Sequence, residues 1–88
     1  MRQNENYLLK HVAQSAVLVP VGQAAVDFPG MISLNGTGEL LWELLAVEQS
    51  EESLRQALQE RFDAPPQKIA ADVETFLRRL RLAGALIE

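Results

Sequence analysis

His11 is the chain's one histidine, there is no cysteine, and no Gly-x-Ser-x-Gly turn occurs, so nucleophile-and-base arrangements lack their parts. A single histidine inside a strand-like segment is more often structural than catalytic. Glu51 and Glu52 pair as carboxylates only on paper. Neighbours on a helix point about 100° apart, and a helix N-terminus attracts negative charge for its own sake. Gly36-Thr37-Gly38 lacks the further glycines and the lysine of a phosphate cradle; helix entry and close packing account for it. With no closed set of metal ligands either, the residues point to a protein without catalysis, metal or cofactor.

Binding chemistry is better represented. Gly30-Met31-Ile32-Ser33-Leu34 reads as a strand that carries no charge and has proline only at its flank, Pro29. Sheet edges are normally blunted by charge, proline or a bulge, because unpaired N–H and C=O groups invite a further strand. An uncharged edge beside an amphipathic helix is what strand addition by an extended peptide needs: backbone pairing supplies affinity and side-chain pockets supply specificity. The helix follows Pro65-Pro66, where Ile69, Val73, Phe76, Leu77, Leu80 and Gly84 share one arc when plotted at about 100° per residue. Lys68, Asp72, Thr75, Arg79 and Ala83 flank that arc on one side; Ala70, Glu74 and Arg81 flank it on the other. The first flank mixes both charges with small residues and is the favoured groove wall. The expected binding residues are therefore Gly30, Met31, Ile32, Ser33, Leu34, Lys68, Asp72, Thr75, Phe76 and Arg79. Arg78, Arg79 and Arg81 form the basic cluster of the chain, read either as a solvated face or as part of a DNA-reading helix.

Positioning these residues takes strands first and helices afterwards. Residues 7–12 and 15–21 are short and rich in Leu and Val, joined at Ala13-Gln14, with Pro20 suited to a strand end or an edge. Residues 22–29 read as a loop or loose hairpin, and residues 30–34 as the third strand. Asn35 is a good N-cap for a helix over about residues 36–46, and Glu39 complements its dipole. Ser50-Glu51-Glu52 opens a second helix with Leu54, Ala57, Leu58 and Phe62 as its inward stripe; Pro66 starts the third and Gly84 ends it. Trp42, between Leu41 and Leu44, belongs in the core. Three antiparallel strands followed by three α-helices make an α+β fold.

Composition narrows the class. Eighty-eight residues with 48% hydrophobic content sustain one core, so residues 1–88 read as one domain. A formal charge of −4 has the wrong sign for phosphate neutralisation and disfavours nucleic acid. Residues 1–10 have no signal-peptide core, no apolar run approaches the ~20 residues of a membrane span, and cysteine is absent, which together predict a soluble, cytoplasmic protein.

The run Leu34-Asn35-Gly36-Thr37-Gly38-Glu39-Leu40-Leu41-Trp42-Glu43-Leu44-Leu45 resembles the Leu-Asn-x-Thr-Gly-x-x-Ile-Trp-x-Leu-Leu signature of the PqqD-like proteins. A second match lies in Ala71-Asp72-Val73-Glu74-Thr75-Phe76-Leu77-Arg78-Arg79-Leu80-Arg81-Leu82-Ala83-Gly84-Ala85-Leu86, which is similar to the family's Asp-Val-x-x-Phe-Leu-x-x-Leu-x-x-x-Gly-Leu-Leu helix. Departures occur at Ala46-Val47, where the family usually has Asp-Gly, and at Gly84-Ala85-Leu86. The resemblance implies a winged helix-turn-helix-like fold and a peptide-recognition role, in the pyrroloquinoline quinone pathway or for other ribosomally made, modified peptides. It further implies that a precursor's leader lies in the groove between the third strand and third helix and is presented to a maturation enzyme, often of the radical S-adenosylmethionine type. On that basis the chain is expected to act as a non-catalytic adaptor; it is read as monomeric or weakly dimeric, and its charge and hydropathy leave it without a nucleic-acid or membrane partner. A DNA-binding regulator and a generic protein-interaction module are the competing readings.

Overall fold

The computed structural model describes residues 1–27 and 30–88. Among these described residues nine elements follow in the order β1 (Arg2–Gln3), β2 (Tyr7–Val12), β3 (Ser15–Pro20), α1 (Gln23–Asp27), β4 (Ile32–Leu34), α2 (Gly36–Leu44), α3 (Glu51–Arg61), α4 (Pro66–Ala83) and β5 (Leu86–Ile87). β2, β3 and β4 form an antiparallel sheet in that spatial order, and β1 pairs with β5 beside it.

The β2–β3 hairpin turns through Ala13-Gln14, with Ala13 at φ 57, a left-handed conformation that glycine would adopt with less strain. Backbone direction then decides which residues face which neighbour. Val21 donates its N–H to the Asn6 carbonyl, so by alternation Ser15, Val17 and Val19 turn their backbone groups toward β2. Ala16 and Leu18 consequently turn theirs toward β4, where they oppose Leu34 and Ile32. Ser33, between those two partners, points its N–H and C=O away from the sheet. Side chains alternate in the same way: Ala16, Leu18, Ile32 and Leu34 are buried, whereas Ser33 and Met31 are exposed.

The third strand is shorter than the expected residues 30–34. Gly30 is a bend and Met31 lies just outside β4. The cause is Pro20: the next ladder bond beyond Leu18↔Ile32 would call on its N–H, which proline lacks. Residues 22–29, expected as a loop or loose hairpin, instead contain the helix α1; Phe28 and Pro29 of that expectation lie outside the described residues.

Each long helix starts where the sequence signals it. The Asn35 side chain accepts from the Gly38 N–H at 2.8 Å, and Ser50 and Ser53 form a reciprocal capping box. Pro66 is the first residue of α4, whose end is a Schellman turn: Gly84 takes φ 75, donates to Arg81, and lets Ala85 donate to Leu80. α2 ends at Leu44 rather than at Ala46. Leu18, Leu41, Leu45, Leu54, Leu58, Val73, Leu77 and Leu80 fill the core between sheet and helices, with Trp42 at 3% exposure. Phe62 leaves its expected inward stripe, because the chain turns extended at that residue just after α3. Among the described residues no helix is long and apolar enough to cross a membrane.

Candidate functional site

β4 is an edge strand, so the outward N–H and C=O of Ser33 face away from β3 toward whatever lies beyond. Met31 has the same parity if the extended course continues one residue upstream. Alongside this edge runs α4, and between α4, the start of α2 and the end of α3 lies a cavity of about 430 Å³. Its floor is apolar: Leu34, Leu41, Leu58, Ile69 and Phe76. Phe62 and Ala64 close the end nearest α3, while Asn35, Thr37 and Gly38 contribute the helix entry of α2. The glycine at position 38 permits the close approach, since a Cβ there would stand 3.4 Å from the Phe76 ring and 3.3 Å from the Asn35 cap oxygen.

Charge sits on the α4 rim. Lys68 lies 3.2 Å from Asp72, an i,i+4 ion pair. About two turns further along, Arg79 donates from Nη2 to the Ser33 carbonyl at 2.9 Å, spanning from helix to strand edge. Thr75 lies between these charges on the same flank.

Of the expected binding residues, Leu34, Lys68, Asp72, Thr75, Phe76 and Arg79 all line this cavity. Ser33 borders it through its carbonyl, held by Arg79. Gly30, Met31 and Ile32 do not line it: Ile32 turns into the core, Met31 is 67% exposed, and Gly30 precedes the strand. On the opposite flank, Glu74 pairs with Arg78 and Arg81 with Glu88, away from the cavity. Sequence reasoning missed the contributions of Asn35, Thr37, Gly38, Leu41, Leu58, Phe62, Ala64 and Ile69 to the cavity. Asn35 and Gly38 carried a signal, the capped helix entry directly after the edge strand; the others meet the cavity only through tertiary packing.

The residues that looked most like catalysts lie elsewhere. His11 is exposed and sits 3.1 Å from Glu39, and Glu51 faces Arg55. Tyr7 is buried, its hydroxyl donates to the Ala83 carbonyl, and burial, seconded by the charge of Asp27, raises its pKa above the ordinary value.

Strands followed by helices, with the small sheet flanking a helical core, define a winged helix-turn-helix-like α+β fold. Residues 15–86 match the family model described as Coenzyme PQQ synthesis protein D (PqqD), and the chain belongs to that family. Among solved structures, that of TbiB1 in complex with the TbiA(beta) leader peptide has a TM-score of 0.76 to this chain at 20% sequence identity, covering 98% of this chain and 94% of that one. A search of curated proteins finds no match.

Proposed function

We propose that this protein is a non-catalytic recognition domain that binds the leader segment of a ribosomal precursor peptide and delivers it to a modifying enzyme of the radical S-adenosylmethionine type. The leader pairs as an added antiparallel or parallel strand with residues 30–34, and its inward side chains rest against Lys68, Asp72, Thr75, Phe76 and Arg79. The observation that carries this reading is the outward-facing backbone of Ser33 on an edge strand directly beside an apolar cavity, its N–H turned away from β3 and its carbonyl held by the exposed Arg79 side chain. Membership of the PqqD family supports it, as does the fold shared with TbiB1, a protein seen with a leader peptide.

The magnitudes are compatible. Besides the Ser33 carbonyl, which Arg79 already holds, Met31 and Ser33 offer up to three outward backbone groups, worth about 1 kcal/mol net each, and roughly 250 Å² of apolar burial adds about 6 kcal/mol at about 25 cal/mol/Å². Ordering a free peptide removes about 2–5 kcal/mol and association entropy removes more, which leaves micromolar or weaker affinity. A DNA-reading role for α4 fits less well, because Lys68, Arg78 and Arg81 already face carboxylates. Titrating the protein with the leader of a precursor encoded beside its gene, at two salt concentrations, tests the reading. Saturable binding with a shallow salt dependence is expected; tight DNA binding with a steep inverse salt dependence, and none of leader, would overturn it.

A further inference from the structure

The four basic side chains of α4 are not equivalent. Lys68, Arg78 and Arg81 each face a carboxylate, at 3.2, 2.8 and 3.0 Å. Arg79 has Thr75, Phe76, Leu82 and Ala83 three and four residues away, so its own helix offers it no acid. Among the described residues its recorded partner is a neutral one, the Ser33 carbonyl. That carbonyl is also the acceptor which the N–H of an added strand would use. Lys68 and Asp72 neutralise one another, which leaves Arg79 as the uncompensated charge of the groove, a positive point on a protein of formal charge −4.

We infer that Arg79 is a latch on the β4 edge, released by peptides that carry a carboxylate, so that it selects acidic leaders over neutral strands. The inference rests on the peptide-binding reading of the groove and specifies its ligand. A neutral strand that takes the Ser33 carbonyl displaces the guanidinium and gives it nothing in return. An acidic strand supplies a carboxylate, whose planar, bidentate match to guanidinium is stronger than a bond to one carbonyl oxygen. Geometry also fixes where the acid must stand. The peptide residue paired with Ser33 shares the outer face of the sheet, so both of its neighbours point inward, toward α4 and the cavity. One of these neighbours meets Arg79 and the other the apolar floor of Leu34, Ile69 and Phe76, giving a ligand with an acidic and a large apolar residue two positions apart. In the empty protein the same latch occupies an edge acceptor and opposes pairing with the β4 of a second copy.

The test is selection of random linear peptides displayed on phage, run against the protein and against its Arg79→Gln variant, followed by synthesis of one selected peptide and its Glu→Gln or Asp→Asn counterpart. Arg79 is exposed, so the variant should keep its fold, which circular dichroism checks. Peptides selected on the protein should carry Asp or Glu two positions from Leu, Ile, Val or Phe. Replacing that acid by its amide should weaken binding to the protein about three- to tenfold and leave binding to the variant unchanged. The amide peptide should bind the variant at least as tightly as it binds the protein. Selected peptides that perturb Ser33 and Arg79 amides yet show no acidic preference would overturn the latch and leave the peptide groove standing. Equal losses for both peptides on the variant would do the same. If no selected peptide reaches this edge, the groove reading falls and the latch with it.

Discussion

Proline placed at Ser33 separates the ladder side of β4 from its open side. The Ser33 N–H makes no ladder bond, because β3 pairs through Ile32 and Leu34, and the Ser33 carbonyl that Arg79 holds survives the substitution. Ser33→Pro should therefore leave the fold intact, as proline on an edge strand does when its missing N–H faces solvent. Binding is a different matter. The added strand loses one N–H···O bond of about 1 kcal/mol net, and up to about 3 kcal/mol if its carbonyl is left dry and unpaired. At about 1.4 kcal/mol per factor of ten, affinity should fall about fivefold to more than a hundredfold. Ser33→Ala retains the N–H and should bind like the parent. Ile32→Pro, one residue away, removes a ladder donor and a side chain only 6% exposed, and should cost about 3 kcal/mol or more of stability. Calorimetric titration with leader peptide and thermal denaturation read the two effects separately. A folded Ser33→Pro protein that binds as tightly as Ser33→Ala would refute the reasoning, and so would an Ile32→Pro protein as stable as the parent.

Trp42→Ala should destabilise by about 3–5 kcal/mol, a large share of a small domain's stability, and native emission should be blue-shifted from that of free tryptophan. Asn35→Ala removes the acceptor for the Gly38 N–H and should cost about 1 kcal/mol in chemical denaturation. Tyr7→Phe removes the hydroxyl that donates to Ala83, at about 1 kcal/mol. Because the folded pKa of Tyr7 is raised, its contribution is fully present below the unfolded value of 10.0 and is lost as pH climbs through the folded value. Denaturation at increasing pH should thus show an alkaline loss of stability that the Tyr7→Phe variant lacks in part.

Much of the positioning machinery was legible in the sequence because its signals are local. Asn35, Ser50, Pro66 and Gly84 mark helix ends by their own conformational chemistry, and each does so in the structure. The arc of Ile69, Val73, Phe76, Leu77 and Leu80 fixed the buried face of α4 by periodicity alone. What escaped has equally physical reasons. β1 and β5 are two residues each, too short for alternation to register, and they exist because Gly84 turns the chain back toward Arg2 and Gln3. α1 is only five residues long, follows Gly22 and ends on Asp27, and both of these read as turn signals. The shortening of β4 depends on which side of β3 presents Pro20, a matter of register between strands. The partner of Arg79 lies 46 residues away, and no helical-wheel argument reaches it.

Amide hydrogen exchange at single-residue resolution, with and without leader peptide, bears most directly on strand addition to β4. Ser33, and Met31 with the same parity, should exchange fast in the free protein and slow markedly when peptide is bound, while Ile32 and Leu34 stay protected throughout by β3. Protection appearing instead at Leu9 and His11 on the opposite edge of the sheet, or confined to α3, with Ser33 still fast, would contradict the account.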